Sequence, residues 1–531
     1  MSETQPVPIM SMVSSEVHPP EWDSPDATSG SFQLVPDVAA PTGSFVLTEE
    51  APIVGDSNGS FVLKESVPIV GTEESDGSFV LKESVPIVDT EQVGGDGSFV
   101  LKEDVPIVDT EESDGSFVLK ESVPIVDSGP FELPPFVEQA IASVVPEEGF
   151  TPGHFVVSID RAAECEGLIG EIHKAVVTEG ERELTILCKI PPLDPVRRQQ
   201  FNSNILFERE INVYSNVLPT MFEFQRQKGV TEELNAGFFN VPKCYLARFD
   251  PDNEEALILM EDLRVRELAM WNKLEPINYE HARLVMIQLG RFHALSFAMK
   301  DQRPDLFEAC KIPDAMVPAM QHNDQLMGMF GVALDAAMNV LDSEDERTSW
   351  KMQGLRNDYF AVLESCVDVE RVEPYAVLNH GDCWINNLMF GYQDGAAQSV
   401  TFIDWQLARY GSPALDVLYF LFCCSDEAFR EKHYDEMLRI YYTALKDLLE
   451  QLGSEAMDVF PFTALLRQLK STGKFAVIMG ALDIPILCTD PADVHSHGDA
   501  ATAFAASGEA QQRYAQRMGG VIRDAIKYGY L

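Results

Sequence analysis

The sequence has few positive charges. Its 531 residues contain 39 lysine and arginine residues against 85 aspartate and glutamate residues, which gives a formal net charge of −46. Proteins that bind nucleic acids or anionic membrane surfaces do so through clustered lysine and arginine side chains. Long hydrophobic runs are also lacking: the longest uninterrupted apolar run, residues 417–424, has eight residues, whereas a membrane-spanning helix needs about 20. The sequence therefore predicts a protein that binds neither nucleic acid nor membrane.

The cysteine pattern excludes two further classes. The nine cysteines are an odd number, and no two of them form a CxxC pair, so neither a disulfide framework nor a structural zinc site is indicated. The first residues, MSETQPVPIM, lack the basic segment and the apolar stretch of a secretory signal. These features predict a reduced, cytoplasmic protein.

Residues 1–135 differ in composition from the rest of the chain. They contain 26 acidic and 4 basic residues and no cysteine. A twelve-residue unit, GSFVLKESVPIV, recurs with small changes from residues 43, 59, 77, 97 and 115. A packed repeat array requires a constant period, whereas these spacings vary between 16 and 20 residues. Because each unit offers few apolar side chains to offset the loss of chain entropy, we predict a disordered acidic tail over residues 1–135.

The repeats resemble a known type of binding segment. The stretch VPIV at residues 85–88 is short, apolar and β-prone, and acidic residues follow it; the same pattern occurs at residues 105–108. Such stretches resemble SUMO-interacting motifs, which add a strand to the edge of a partner's sheet. The resemblance implies a SUMO-like or other β-edge partner that several weak copies bind through avidity. Tandem duplication without any partner is the alternative, and the pattern leaves both interpretations open.

Residues 136–531 have a globular composition and two parts. Short runs rich in β-branched residues predict strands at 155–157, 174–177, 184–190, 243–247 and 256–260. One helix is predicted over residues 198–218, ending at Pro219. Beyond Asp262 the periodicity predicts helices at 281–299, 324–341, 350–368, 426–453 and 509–528. A β-rich N-lobe over residues 136–263, followed by an α-rich C-lobe over residues 264–531, predicts an α+β, two-lobed protein-kinase-like fold.

Three polar residues around a predicted hairpin have a spacing that suits phosphoryl transfer. Asp382 follows His380 and Gly381, Asn387 comes five residues later, and Asp404 ends a β-run 17 residues after Asn387. Transfer from ATP needs a carboxylate that accepts the proton of the acceptor hydroxyl, and oxygen ligands that hold Mg²⁺ against the β- and γ-phosphates. Asp382 suits the first role, and Asn387 and Asp404 suit the second. The sequence therefore predicts a catalytic Asp382 and a magnesium site at the other two residues.

This segment resembles the catalytic motifs of the ecdysteroid kinase-like family, which is similar to choline kinases and aminoglycoside phosphotransferases. The family pattern HGDxWxxNxxF matches residues 380–390, and its hydrophobic-Asp-x-Gln motif matches Asp404 and Gln406. The resemblance covers roughly residues 136–531. It implies ATP and Mg²⁺ as cofactors and a small-molecule alcohol as acceptor, either an ecdysteroid or another hydroxylated steroid-like or xenobiotic compound. It also implies that Asp416 braces the catalytic loop.

The same resemblance implies nucleotide-binding residues in the N-lobe. Lys189, at the end of a predicted strand, resembles the lysine that reaches the α- and β-phosphates. Glu210 resembles the glutamate that pairs with this lysine; Glu208 is the alternative, but it lies on another side of the predicted helix. Met260 and Glu261 resemble the hinge, whose backbone groups hold the adenine.

The glycine-rich loop is the incomplete part of the resemblance. Gly167 and Gly170 lie where the family covers the phosphates, but the full GxGxxG pattern is missing and Glu171 adjoins it. A carboxylate close to a triphosphate would repel it. Two functions from different classes therefore stay open. One is an active kinase that phosphorylates the hydroxyl group of a small molecule with ATP and Mg²⁺. The other is a catalytically weak kinase fold that serves as a binding module with a multivalent tail.

Overall fold

The computed structural model describes residues 54–55, 61–62, 133–161, 170–200, 202–341, 345–490 and 508–531. The chain divides into two compact units, residues 1–130 and 131–531. The described part of the first unit is a pair of antiparallel strands, β1 (Val54–Gly55) and β2 (Phe61–Val62). The other repeat residues lie outside the described part of the chain, so the disordered tail and the SUMO-like partner stay predictions.

The second unit begins with a helix and an antiparallel sheet. The helix is α1 (Pro135–Val144), and the strands are β3 (Val156–Arg161), β4 (Glu171–Glu179), β5 (Arg182–Ile190), β6 (Cys244–Asp250) and β7 (Glu255–Glu261). They are arranged in the order β3-β4-β5-β7-β6. Between β5 and β6 lie α2 (Pro195–Gln200), α3 (Ser203–Asn212), a π-helix (Val213–Val217), α4 (Leu218–Gln227) and a 3₁₀ turn (Glu232–Leu234).

One face of this sheet packs against α1. Side chains alternate between the two faces of a strand, and Ala175 and Val177 of β4 are buried on the same face as Ile186 and Cys188 of β5. These residues form a small core with the buried side of α1. The strands therefore form where alternating apolar residues can be buried under one helix.

The helix end predicted at Pro219 is wrong. The chain stays helical from Ser203 through α3, the π-helix and α4 to Gln227, and Pro219 lies in the first turn of α4. A proline inside a helix lacks one backbone donor, which normally interrupts the i→i−4 pattern. The π-helix directly before Pro219 already breaks this pattern with its wider turn, so the helix continues past the proline.

The remainder of the second unit is mainly helical. Its helices are α5 (Tyr279–Gln302), α6 (Pro304–Glu308), α7 (Met316–Gln321), α8 (Asp324–Met338), α9 (Glu346–Val367), α10 (Ala414–Cys424), α11 (Glu427–Leu452), α12 (Ala456–Val459), α13 (Phe462–Thr472), α14 (Lys474–Cys488) and α15 (Glu509–Lys527). Its strands are β8 (Ala269–Met270), β9 (Val377–Asn379), β10 (Leu388–Gln393), β11 (Ala396–Phe402) and β12 (Arg409–Gly411), and its 3₁₀ turns are Leu263–Arg266, Val369–Arg371 and Ile385–Asn387.

Helices α10 and α14 belong to the core of the helical part. Every residue of α10 is buried, and α14 packs beside it and against α8, α9 and α15. Among the described residues no single helix is long and apolar enough to cross a membrane, although a pair over 456–472 and 474–488, bent by 59°, passes that test by length and composition. A sheet-containing N-terminal part followed by a helical C-terminal part confirms the predicted two-lobed kinase-like fold; the lobe boundary at residue 263 stays a prediction.

Candidate active site

A hairpin brings the three predicted phosphoryl-transfer residues together. Strands β10 and β11 pair in antiparallel fashion. Asn387 directly precedes the first strand and Asp404 follows the second, so both lie at the open end of the hairpin. The backbone N–H of Ile403 donates to the carbonyl oxygen of Asn387 over 3.0 Å, which fixes these two ends side by side. Asp382 lies in the loop between β9 and the hairpin and contacts Asn387 directly.

Asp382 is held by a donor on each of its carboxylate oxygens. The hydroxyl of Tyr419 donates to Oδ1 over 2.9 Å, and Nδ2 of Asn387 donates to Oδ2 over 2.8 Å. Burial raises the pKa of Asp382 to about 6 and the charge of Asp404 adds to this effect, while the two hydrogen bonds favour the ionised form. The carboxylate is therefore fixed in orientation and able to take up a proton near neutral pH.

A second buried aspartate fixes the loop that carries Asp382. Asp416, in the first turn of α10, accepts the backbone N–H groups of His380 over 2.7 Å and of Gly381 over 2.9 Å. Its Oδ2 lies 3.3 Å from Nε2 of His293. Burial alone would raise the pKa of Asp416, but the hydrogen bonds from His293 and from the backbone of the loop outweigh it and lower this pKa. The structure places Asp416 where the resemblance implied a brace.

Gly381 is required by the conformation of the same loop. Its φ is +84°, in the left-handed region, and a Cβ at this position would lie 1.9 Å from the carbonyl oxygen of Leu407. Arg409 donates from Nη2 to the carbonyl oxygen of Gly381 over 2.5 Å and from Nη1 to Asp314 over 3.0 Å. The close approach of the 407–409 segment therefore leaves no room for a side chain directly before Asp382.

Lys189 joins the predicted nucleotide-binding residues to the hairpin. Its Nζ lies 2.7 Å from Oε2 of Glu210 and 2.9 Å from Oδ1 of Asp404. Burial by itself lowers the pKa of Lys189, but the two carboxylates outweigh this effect and raise it, so the ammonium stays charged. Glu208 is exposed, and the structure therefore selects Glu210 as the partner of Lys189. Asp404 has a φ of 64°, in the left-handed region that residues other than glycine seldom adopt.

Helix α3, which carries Glu210, is tied to the segment after Asp404 by a residue that the sequence did not single out. Arg209 donates from Nη2 to the carbonyl oxygen of Pro313 over 2.7 Å and to that of Ala408 over 2.5 Å. Its Nε lies 3.3 Å from the carbonyl oxygen of Gln406. An arginine on a helix gives no sequence signal of such a role, because its acceptors are backbone groups about 100 and 200 residues away.

The predicted hinge residues lie at the end of β7. Met260 is buried and pairs with Leu187 of β5 and Cys244 of β6. The backbone N–H of Glu261 donates to the carbonyl oxygen of Lys243 over 2.9 Å, and the Glu261 side chain accepts the backbone N–H of Lys243 over 2.9 Å. The N–H of Glu261 is thus already paired, and adenine binding by this segment stays a prediction.

Of the two glycines in the predicted phosphate loop, the structure describes Gly170 and not Gly167. Gly167 lies outside the described residues. Gly170 precedes β4, and a Cβ there would lie 3.0 Å from the ring of Phe207 and 3.1 Å from the carbonyl oxygen of Ile190, so a larger residue would fit poorly. Oε1 of Glu171 accepts the backbone N–H of Leu193 over 2.9 Å, so the segment that follows β5 engages this carboxylate.

Tyr419 is a second side chain at the site that the sequence interpretation did not single out. It lies three residues after Asp416 on α10, and residues at that spacing share a helix face. Since Asp416 contacts the catalytic loop, this spacing was a signal that Tyr419 faces the same loop. Its contact with Asp382 depends on how α10 packs, which local sequence does not specify.

The donor set of the site suits magnesium. Among the described residues no group of three or more His, Cys, Asp and Glu side chains could hold a metal ion. Mg²⁺ in nucleotide sites is held by one or two carboxylate or amide oxygens, with phosphate and water oxygens completing an octahedron. Because Nδ2 of Asn387 faces Asp382, its amide oxygen is directed away from that carboxylate. This oxygen and the Asp404 carboxylate provide two ligands of the required kind.

Part of the chain matches a known protein family. The sequence profile of the ecdysteroid kinase-like family matches residues 166–454, which is more than half of the chain and includes the site residues from Gly167 to Asp416. No curated protein sequence matches the chain.

Solved structures with a similar arrangement share little sequence identity with the chain. An ethanolamine kinase from Plasmodium vivax has 13% identity and a TM-score of 0.37, and the match covers 75% of this chain and 90% of that one. A choline kinase from Cryptosporidium parvum has 11% identity and a TM-score of 0.37, with 74% and 98% covered. A spectinomycin phosphotransferase in complex with ADP and spectinomycin has 10% identity and a TM-score of 0.33, with 71% and 93% covered.

Proposed function

Since the chain belongs to the ecdysteroid kinase-like family, we propose that it transfers the γ-phosphoryl group of ATP, with Mg²⁺, to a hydroxyl group of a small molecule. The proposed acceptor is an ecdysteroid or another hydroxylated steroid-like or xenobiotic compound. The observation that carries the proposal is the arrangement of Asp382, which Tyr419 and Asn387 orient beside Asp404. We propose a cytoplasmic location from the sequence composition alone.

On the nucleotide side, the residues of this chain bind and orient. The charged Lys189 would contact the α- and β-phosphates, and Glu210 would hold it in place from α3. In the described conformation Asp404 also contacts this lysine. Asn387 and Asp404 would hold Mg²⁺, which when bound offsets the negative charge of the phosphates.

On the acceptor side, Asp382 handles the proton. The acceptor O–H bond breaks and its proton goes to the Asp382 carboxylate. A bond forms between the acceptor oxygen and the γ-phosphorus, and the bond from this phosphorus to the bridging oxygen of ATP breaks, which releases ADP. With a pKa of about 6, Asp382 is mostly ionised at neutral pH and can act as the base.

An acceptor screen tests this function. The purified chain is incubated with γ-³²P-labelled ATP, Mg²⁺ and a panel of ecdysteroids, hydroxylated plant alcohols, choline and ethanolamine. We expect a labelled phosphate ester with at least one hydroxylated steroid-like compound, dependent on Mg²⁺. Transfer to choline or ethanolamine alone would refute the proposed acceptor class, and transfer to no compound would favour the binding-module alternative.

A further inference from the structure

Arg209 donates hydrogen bonds to two separate segments of the chain, and the proposed function gives it no role. Its Nη2 donates to the carbonyl oxygens of Pro313 over 2.7 Å and of Ala408 over 2.5 Å, and its Nε lies 3.3 Å from that of Gln406. The side chain is half-buried. A guanidinium group carries five donors in one plane, whereas a lysine ammonium is a compact point charge. An arginine, and not a lysine, therefore matches these three carbonyl groups.

The two ends of this contact each lie beside a partner of Lys189. Glu210 directly follows Arg209 on α3, and its Oε2 lies 2.7 Å from the lysine Nζ. Asp404 precedes Gln406 by two residues, and its Oδ1 lies 2.9 Å from the same nitrogen. Arg209 therefore joins the helix that carries one of these carboxylates to the segment that follows the other.

The segments that accept from Arg209 are also bonded to the catalytic loop. Arg409 and Asp314 each directly follow an acceptor of Arg209. Arg409 is 2% exposed, and it donates to the Asp314 carboxylate over 3.0 Å and to the carbonyl oxygen of Gly381 over 2.5 Å. Since Gly381 directly precedes Asp382, Arg209 anchors α3 to the loop that carries the proposed catalytic base.

The backbone at Asp404 needs support from its surroundings. Its φ of 64° lies in the left-handed region, which a residue other than glycine keeps only where neighbouring contacts hold it. The carbonyl groups that Arg209 binds in this segment lie two and four residues after Asp404. Removal of the guanidinium group would free this segment, and with it the carboxylate that contacts Lys189.

We propose that Arg209 is a positioning residue for the nucleotide phosphates: it holds both carboxylate partners of Lys189 in place, and so directs the lysine ammonium at the α- and β-phosphates. This proposal rests on the proposed function, in which Lys189 contacts those phosphates. Arg209 itself touches neither the nucleotide nor the acceptor and acts only through the lysine. Its loss should therefore matter only in a protein that has Lys189.

A double-mutant cycle tests the proposal. The probe is Mg·AMP-PNP, an ATP analogue that is not hydrolysed, and its Kd is measured by isothermal titration calorimetry with the full chain. The cycle combines Arg209→Met with Lys189→Met, since methionine keeps an unbranched stem and has no donor. Glu210→Gln is a second background, because Lys189→Met leaves two carboxylates without their cation. Arg209→Lys, which keeps the charge, is measured in the same backgrounds.

Arg198→Met is the matched control. Arg198, on α2, likewise donates to two backbone carbonyl oxygens, that of Pro192 over 3.0 Å and that of Glu254 over 3.3 Å. Neither acceptor belongs to the candidate active site. Thermal unfolding of every variant shows whether it is folded.

The loss of affinity in Arg209→Met should depend on the lysine. With Lys189 and Glu210 present, Mg·AMP-PNP should bind Arg209→Met at least about tenfold more weakly than the wild type, as expected for lost hydrogen bonds of a charged group. Arg209→Lys should bind it with intermediate affinity. In the Lys189→Met and Glu210→Gln backgrounds, either change at Arg209 should weaken binding by less than about threefold. Arg198→Met should bind like the wild type.

Three results would overturn the proposal. The first is the same factor of loss in every background, which is the signature of a merely structural role. The second is a folded Arg209→Met that binds Mg·AMP-PNP like the wild type, and the third is a wild type that does not bind it. The first two leave the proposed function standing, because the acceptor screen tests that function separately. A screen without any phosphate ester, together with a coupled cycle, would place Arg209 in a nucleotide-binding module instead.

Discussion

Replacing the proposed catalytic base should abolish turnover and at the same time stabilise the fold. Burial raises the pKa of Asp382 from 3.8 to about 6. At neutral pH the ionised Asp382 therefore lowers the free energy of unfolding. At 1.36 kcal/mol per pKa unit, this destabilisation is about 3 kcal/mol. In Asp382→Asn the amide oxygen can accept from Asn387, and the amide nitrogen can donate to the oxygen of Tyr419. The variant thus lacks the buried charge that destabilises the fold, and it keeps both contacts.

The expected gain can be measured as a melting temperature. An unfolding entropy of about 2.1 cal/mol/K per residue gives roughly 0.8 kcal/mol/K for the second compact unit, so a gain of about 3 kcal/mol raises Tm by about 3–4 °C. The pKa of Asp382 is higher in the folded than in the unfolded protein. Its ionisation therefore does not destabilise the fold below pH 3.8 and destabilises it by the full amount above about pH 6. The difference between variant and wild type should therefore be about half as large at pH 5 as at pH 7.5.

A matched control uses the other buried aspartate of the loop. The pKa of Asp416 is lowered, because it accepts two backbone N–H groups and lies beside His293. Its ionised form stabilises the fold above the unfolded pKa, and that contribution is lost as the pH falls through the folded pKa. Asp416→Asn should therefore lower Tm, by differential scanning fluorimetry in EDTA without nucleotide. If both variants shift Tm in the same direction, the reasoning about Asp382 is wrong.

Three further predictions follow from the same geometry. Asp404→Asn should lose the Mg²⁺-dependent thermal stabilisation by ATP, whereas Asp382→Asn should keep it; equal stabilisation of both would remove Asp404 from the metal site. Gly381→Ala should be poorly folded, since its Cβ would lie 1.9 Å from a backbone oxygen. Gly354→Ala, at an exposed position inside α9 where a Cβ meets nothing within 4 Å, should melt at the wild-type temperature or about 1 °C above it, because alanine favours a helix over glycine. A chain that starts at Gly129 should melt within about a degree of the full chain, and a drop of many degrees would show that the repeats stabilise the kinase region.

The part of the site that could be predicted from sequence is the part built from local segments. Asp382, Asn387 and Asp404 belong to one loop and one hairpin, so their spacing along the chain fixes their spacing in space. The predicted strands and the predicted helices of the C-terminal part likewise follow local periodicity, and each lies within a few residues of an observed element. Pro219 is the exception, because the π-helix before it has no recognisable sequence pattern. Several observed helices, among them α1, α13 and α14, were not predicted.

The contacts that sequence could not supply join distant elements. Tyr419 reaches Asp382 because α10 packs against the loop that carries Asp382. Arg209 binds backbone groups, which every residue has. The backbone partners of Arg209 are selected by tertiary packing, for which neither periodicity nor motif spacing gives a signal. For Tyr419, the spacing from Asp416 indicates which loop it faces but not that it contacts Asp382.

The rate of phosphate transfer to the acceptor tests the central claim most directly. The experiment compares the wild type with Asp382→Asn at saturating Mg·ATP, with the acceptor found in the screen. Formation of the labelled ester is followed in a single turnover. The account predicts ester formation by the wild type and a fall of at least about 10²-fold in the variant, at unchanged nucleotide affinity. Equal rates in the two proteins, or bound Mg·ATP without transfer to any hydroxyl compound, would contradict it.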